Sequence, residues 1–111
     1  MKEVSFENFA SLDIRVGTVL SCEPFEKARQ PAFKLWIDFG DEIGERKSSA
    51  QITDLYESAS LVGTQVLAVV NFPKKQIADF MSEALVLGVY SNDGVVLLRP
   101  DAQCVNGAKV G

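Results

Sequence analysis

Apolar and polar residues alternate over a long stretch near the N-terminus. Between Leu12 and Cys22 every second position is apolar or threonine, and the residues between them are mostly polar or small. This two-residue period predicts a long, half-buried β-strand. Gly17 lies inside the run and indicates a bulge or a sharp bend, because glycine is typical of strands that must curve. Pro24 ends the strand, since proline donates no backbone hydrogen bond.

A short helix is predicted before this strand, over residues 5–10. Ser5 can cap it, and Phe6 and Phe9 lie on one face because they are three residues apart. A helical turn is predicted over residues 54–59, and Asn92-Asp-Gly94 is a strong hairpin signal. Further strands are predicted where apolar runs lie between turn-forming residues: 33–39, 45–52, 65–71, 84–91 and 95–99.

This order of elements predicts an all-β fold. It is typical of a five-stranded Greek-key barrel of the oligonucleotide-binding (OB) type, with a short N-terminal helix and a short helix between strands 3 and 4. The remaining segments add extra C-terminal strands. A length of 111 residues without repeats or linkers predicts a single domain over residues 1–111.

The charge balance restricts how the chain could bind an anion. Its net charge is −4, from 11 basic and 15 acidic side chains. Proteins that hold nucleic acid mainly by nonspecific charge are usually basic, so an anion site here requires a local concentration of cations. The alternative is that the cations are ordinary solvated surface charges. The clustered cations are Lys27, Arg29, Lys34, Arg46, Lys47, Lys74 and Lys75.

The residue types argue against catalysis. The chain has no histidine, which removes the commonest general base and the commonest metal ligand. It also has no phosphate-binding loop, no GxSxG, no HExxH and no dinucleotide fingerprint. We therefore expect a binding protein that is not an enzyme, with no catalytic residues, metal or cofactor.

Composition also predicts the compartment. No apolar run approaches the roughly 20 residues that span a bilayer, so no membrane insertion is expected. Acids stand near the N-terminus where an export signal has its apolar stretch, which favours a cytoplasmic location. Cys22 and Cys104 are far apart in sequence and are expected to be reduced thiols.

Residues 71–83 form the most unusual segment, because they combine paired cations with large apolar side chains between two predicted strands. Pro73 ends the preceding strand, Lys74 and Lys75 follow, and Phe80 and Met81 come next. A connecting loop has little use for such apolar residues unless something covers them. The cover is the protein itself, a second subunit or a ligand.

Trp36 is the second candidate binding residue. By alternation it shares the outward face of the second strand with Lys34, which is where OB barrels bind their ligands. Its ring can stack on a base or cover an apolar peptide side chain. Alternatively, it packs under the 71–83 segment or in a subunit interface. Arg15, also outward, is expected either to bind ligand or to pair with Asp13 or Glu83.

Several stretches, in order and across nearly the whole chain, resemble a known family. The chain is similar to the CsaA family of export-related, chaperone-like proteins, within the wider tRNA-binding domains found beside methionyl-tRNA synthetase and in free-standing tRNA-binding proteins. Ala84-Leu85 after Ser82-Glu83, and Ala28-Arg-Gln-Pro-Ala32, favour the CsaA branch over the tRNA-binding relatives. The matching stretches are Phe6-Glu-Asn-Phe9, Leu12-Asp-Ile-Arg-Val-Gly17, Lys27 to Leu35, Ser48 to Ile52, Leu61-Val-Gly63, Val70 to Ile77, Met81 to Gly88 and Gly107 to Gly111.

The resemblance implies a homodimeric OB barrel that binds unfolded or presecretory polypeptides and is linked to protein export. Structure-specific tRNA binding at the same surface is the alternative, and the sequence does not rank the two. Phe6 and Phe9 would then cap the barrel or pack across the dimer axis. The implied ligand-binding residues are Lys34, Trp36, Ser49, Gln51, Asn71, Lys74, Lys75, Phe80, Met81, Ser82 and Glu83.

Overall fold

The computed structural model describes all residues from 1 to 111 and contains three short helices and nine strands. The helices are α1 (Phe6–Ala10), α2 (Gly40–Ile43) and α3 (Ser58–Leu61). The strands are β1 (Ile14–Pro24), β2 (Phe33–Asp38), β3 (Glu45–Ala50), β4 (Gln65–Val69), β5 (Lys75–Ile77), β6 (Phe80–Ser82), β7 (Leu85–Val86), β8 (Gly88–Ser91) and β9 (Gly94–Leu97). None of the helices is long and apolar enough to cross a membrane.

Five strands form one antiparallel sheet in the order β3-β2-β1-β4-β7, curled into a nearly closed barrel. The long strand β1 makes this possible because its first half pairs with β4 and its second half with β2. The short helix α3 lies between β3 and β4, as the sequence predicts. The all-β, OB-type fold is therefore confirmed.

The register irregularity in β1 lies after Val19, not at Gly17. The register with β2 shifts between Val19 and Ser21, so Leu20 is left out of the ladder. As a result Val19 is 1% exposed and Leu20 is 46% exposed, the reverse of the simple alternation. Gly17 is needed for a different reason: a Cβ atom there would lie 2.6 Å from the Ile37 side chain.

The 71–83 segment is not an irregular loop. Strands β5 and β6 form a two-stranded hairpin, which the residue pattern did not predict because each strand is only three residues long. The predicted strand over residues 84–91 is divided into β7, which joins the barrel, and β8, which pairs with β9. The turn at residues 92–93 joins β8 and β9, as predicted.

The barrel interior contains a core of 13 buried apolar residues, including Leu35 and Ile37 from β2, Phe39 directly after β2, and Val66 and Ala68 from β4. The C-terminal segment continues the sheet beside β1. Amide–carbonyl bonds join it to both groups of Val16 and to the Ile14 carbonyl.

The helix α1 forms where Ser5 was predicted to cap it, with the Ser5 hydroxyl accepting from the Asn8 amide at 3.4 Å. Phe6 and Phe9 remain 75% and 40% exposed, with their ring centroids 6.3 Å apart. They do not cap the barrel within this one chain.

Candidate ligand-binding groove

The hairpin β5–β6 is fastened to the outer edge of β3 by the residues that follow it. The Glu83 amide donates to the Lys47 carbonyl at 2.7 Å, and the Lys47 amide donates back to the Glu83 carboxylate at 3.0 Å. Next along β3, the Ser49 amide donates to the Ser82 hydroxyl at 3.1 Å. Ser82 and Glu83 therefore replace part of a missing strand ladder with side-chain oxygens.

Under this hairpin, three aromatic rings form a small second core. Phe80 packs edge-on against Phe25 and Trp36, with ring centroids 5.4 and 5.8 Å away. Phe80 is only 6% exposed. The structure therefore places Phe80 inside the protein, where other side chains of the same chain cover its ring. Trp36 is half-buried and packs under the 71–83 segment, which is one of the alternatives that the sequence offered for it.

Two lysines lie over this aromatic cluster. The Lys34 ammonium is 5.4 and 5.7 Å from the ring centroids of Phe25 and Phe80, and the Lys47 ammonium is 5.3 Å from that of Phe80. Lys34 also pairs with Glu23 at 3.1 Å. Both lysines are thus engaged in holding the hairpin on the barrel.

A groove of about 570 Å³ opens beside the cluster. It lies between the β1–β2 loop, the end of β3 and the tip of the β5–β6 hairpin, the position at which OB barrels bind oligonucleotides and oligosaccharides. No acidic side chain lines it, although the chain as a whole is acidic. Its polar lining is Lys27, Arg29, Gln30, Ser49, Gln51, Lys75 and Gln76.

The cations of this groove are not equivalent. Lys27 pairs with Asp79 at 2.9 Å, and this pair links the β1–β2 loop to the hairpin tip. The hydrogen bond from Lys27 lowers the pKa of Asp79, and the same bond raises the pKa of Lys27. Arg29 and Lys75 form no ion pair, so they are the cations available to an anionic ligand.

A second, mainly apolar section of about 370 Å³ continues from the first. The two sections share Ser49, Gln51, Lys75 and Ile77. Tyr90 stands at its margin and is 93% exposed. The apolar lining comes from both sides of the barrel opening: Ala50, Ile52, Ile77, Ala84, Leu85, Val86, Tyr90 and Val95.

The residues predicted as a site fall into separate groups. Ser49, Gln51 and Lys75 line both sections of the groove, and Ser82 lines the apolar one. Met81 is half-buried on β6. Asn71 lies elsewhere: its side chain accepts from the Asp13 amide and donates to the Ser11 carbonyl, so it holds α1 against the barrel.

Lys74 and Glu83 lie next to the groove and pair with each other at 3.4 Å. Burial alone would raise the pKa of Glu83, but the Lys47 amide and the Lys74 ammonium outweigh it and hold that pKa below its usual value. Glu83 is thus fixed as a carboxylate that supports the hairpin.

Arg15 is occupied by acids, as one of the two sequence-based alternatives expected. It contacts Asp13 at 2.5 Å and Glu42 at 3.0 Å, and it donates to the Gly107 carbonyl. The bond from Arg15 lowers the pKa of Asp13. Glu83, the other predicted partner, binds Lys74 instead.

Sequence reasoning missed the apolar section of the groove. Ile77, Tyr90 and Val95 come from three different strands and meet only because the two hairpins fold over the same opening. The structure marks this section by the high exposure of Tyr90, a tyrosine within a strand. That exposure cannot be read from the sequence, so no sequence signal pointed to the section.

Comparison with known proteins identifies the family. The family model described as "Putative tRNA binding domain" matches residues 14–109, which is most of the chain. The chain belongs to the tRNA-binding domain family. The methionine–tRNA ligase of Porphyromonas gingivalis is 36% identical over 110 residues, covering 98% of this chain and 16% of the enzyme. This tRNA-binding domain thus spans about one-sixth of the length of that relative.

Two solved structures resemble the tRNA-binding domain over almost its full length. The CsaA chaperone protein of Picrophilus torridus is 48% identical, with a TM-score of 0.94, over 98% of this chain and 100% of that one. The chaperone CsaA of Bacillus anthracis is 50% identical, with a TM-score of 0.92, over 99% and 100%. The resemblance to CsaA is therefore confirmed. The region shared with methionine–tRNA ligase is a binding domain only.

Proposed function

We propose that residues 1–111 act as a single, non-enzymatic domain that binds unfolded polypeptide segments, in the manner of a chaperone. The observation that carries the proposal is the two-part groove, in which an apolar section continues into an acid-free section with free cations. Extended polypeptides present both apolar and charged side chains. Similarity to CsaA supports the same assignment.

The apolar section is the part that favours a polypeptide over a nucleic acid. Ile77, Leu85 and Val86 offer apolar surface to a ligand, and the exposed ring of Tyr90 can cover one of its side chains. Affinity should be modest, because an extended segment loses conformational entropy when it binds. Such weak, broad recognition suits a protein that binds many unfolded or presecretory polypeptides. We propose that the domain does this in the cytoplasm and that its binding is linked to protein export.

Structure-specific tRNA binding is the second candidate. It is favoured by Arg29 and Lys75, which face a groove at the usual OB binding position without any acid beside them. The tRNA-binding family membership supports it as well. On this alternative, phosphates bind the two cations, and the groove's glutamines donate to base or ribose oxygens.

We also propose that the domain works as a homodimer. Phe6 and Phe9 form an exposed pair of rings on α1, which leaves apolar surface that a second copy can cover. Two copies would present two grooves, and a long client that reached both would bind more tightly than to one.

A titration at two salt concentrations tests the proposal. The probes are fluorescein-labelled, permanently unfolded carboxymethylated α-lactalbumin and a deacylated tRNA pool, read by anisotropy. We expect the unfolded protein to bind with little change when salt rises. The tRNA candidate requires affinity that falls steeply with salt, with a log–log slope of about −1.4 for two phosphate contacts on single-stranded RNA.

Two variants test the contributions of the apolar and cationic sections of the groove one at a time. Tyr90→Ala should weaken lactalbumin binding several-fold, whereas the matched control Val105→Ala, also exposed but outside the groove, should not. Lys75→Glu should abolish any tRNA binding. Salt-sensitive tRNA binding without lactalbumin binding would replace the chaperone-like proposal by the second candidate.

A further inference from the structure

The barrel has an open seam between its two edge strands, β3 and β7. These strands end the sheet order and share no ladder. The Ser48 hydroxyl bonds the Ala84 carbonyl at 2.8 Å and closes the seam at one end. Beyond that point, residues 49–52 on one side and residues 84–86 and 88 on the other line the apolar section of the groove.

The edge of β3 offers unused backbone groups to this seam. In the antiparallel β2–β3 pair, alternate residues direct both backbone groups away from β2. Lys47 and Ser49 are in that phase, because their amides donate to Glu83 and Ser82. The next residue in phase is Gln51, whose amide and carbonyl make no hydrogen bond within the chain.

Unpaired groups on a strand edge are a template for another strand. The walls around them determine which strand fits. Ile52, Val86 and Val95 favour apolar side chains, and Lys75 and Arg29 at the adjoining cationic section favour a carboxylate. A nucleic acid could satisfy the cations and donate to the edge carbonyls, but it would leave the apolar walls without suitable partners.

We propose that an extended, apolar and acidic segment of another polypeptide adds to the barrel as a strand along Ser49–Gln51. Its backbone pairs with the edge of β3, its apolar side chains enter the seam, and its acidic side chain lies against Lys75 and Arg29. This inference rests on the proposed polypeptide binding and specifies how it occurs: recognition is by backbone pairing and apolar contact, with a single charge contact beside them, and depends little on the client's detailed sequence.

Backbone methylation of a peptide tests the pairing directly. The probe is a fluorescein-labelled octapeptide, Thr-Val-Thr-Val-Thr-Val-Glu-Glu, with one version N-methylated on its valines and another on its threonines. Only one set of amides can face β3. We expect one methylated version to lose about tenfold or more in affinity relative to the other, from one or two lost hydrogen bonds. Replacing both glutamates by lysines should also weaken binding.

Amide hydrogen exchange gives a second readout that needs no substitution. Saturating octapeptide should slow exchange of the Gln51 amide at least about tenfold, because that amide gains an acceptor. The Glu57 amide, at the start of α3 and outside the groove, is the control.

Each other outcome overturns the inference. Equal affinities for the two methylated peptides would exclude strand addition while leaving lactalbumin binding, and so the proposed function, intact. Absence of lactalbumin binding would reject the proposed function itself. Protection of Gln51 by oligouridylate but not by the octapeptide would assign the seam to RNA, and protection on raising protein concentration alone would assign it to a second copy.

Discussion

Phe80 joins the β5–β6 hairpin to the barrel through its ring, which lies against Phe25 and Trp36 and under two lysine ammonium groups. From sequence it was a candidate ligand residue, because nothing local showed what would cover it. The covering ring, Phe25, is 55 positions away in the chain, so only the folded structure brings the two together. For Trp36 the sequence left open whether the ring contacts a ligand or packs under the 71–83 segment. In the structure the ring packs against Phe80 of that segment.

Truncating Phe80 should therefore destabilise the fold. We expect Phe80→Ala to lower the free energy of unfolding by about 3 kcal/mol, since a buried ring is lost and a cavity remains. Urea denaturation measures this. The matched control is Phe72→Ala, whose ring is 46% exposed and whose loss should change stability by about 0.5 kcal/mol or less. Equal effects of the two changes would contradict the packing role of Phe80.

Glu83 predicts how stability depends on pH. Its pKa is held below the usual value of 4.5, so its contribution is fully present above that pH and is lost as pH falls through the lowered value. The pKa of Asp13 is also lowered, chiefly by the hydrogen bond from Arg15, so Asp13 acts in the same direction.

Glu83→Gln should flatten part of this acid dependence, because the amide keeps an oxygen for the Lys47 N–H but has no charge to titrate. Urea midpoints measured from pH 7 to pH 3 give the comparison. Glu57→Gln, an exposed position without an ion pair, is the control and should follow the parent curve. If the stability of Glu83→Gln fell with decreasing pH as steeply as that of the parent protein, Glu83 would not be the group that causes this pH dependence.

At the scale of elements, the alternation of residues predicted the barrel strands well, because strands with one buried face carry a clear period. It failed where length or register interrupted that period. Strand β5 and strand β6 have three residues each, too few for a pattern. In β1 the irregularity after Val19 exchanges the buried and exposed phases, which no local residue announces.

Gly17 tests how closely β1 packs against the core side chains of Ile37 and Phe39. An alanine methyl there would lie 2.6 Å from Ile37 and 2.7 Å from Phe39, both fully buried, so neither can move freely. We expect Gly17→Ala to cost about 1–3 kcal/mol of unfolding free energy, measured by urea denaturation. Gly111→Ala, with no neighbouring atom within 4 Å, serves as the control. If Gly17→Ala left the free energy of unfolding unchanged, β1 would be able to move away from Ile37 and Phe39 without loss of stability.

At the scale of the whole molecule, net charge was a poor guide to local charge. A chain of net charge −4 builds a groove that no acid lines, because its acids lie elsewhere on the fold. The cations are readable from the sequence but their ion pairs are not, so only the structure shows that Lys27 is paired while Arg29 and Lys75 are free.

The proposed dimer yields the prediction at this scale. Replacing Phe6 and Phe9 together by serine should shift the protein from dimer to a monomer of about the 12.1 kDa chain mass, as measured by sedimentation. Stability of the barrel should change little, because neither ring is buried in the single chain. Val105→Ser, also exposed, is the control. A parent protein that sediments as a monomer would contradict the dimer.

The fastening of the hairpin by Ser82 and Glu83 has a consequence for solubility. These two residues cover backbone amides that would otherwise let β3 of one molecule pair with β3 of the next and propagate into aggregates. The hairpin therefore shields this edge of β3. Acid strong enough to protonate Glu83, whose pKa is held below 4.5, weakens the shield because the carboxylate charge is lost. The edge of β3 that we propose to accept a client strand must in this way be kept from pairing with β3 of a second copy.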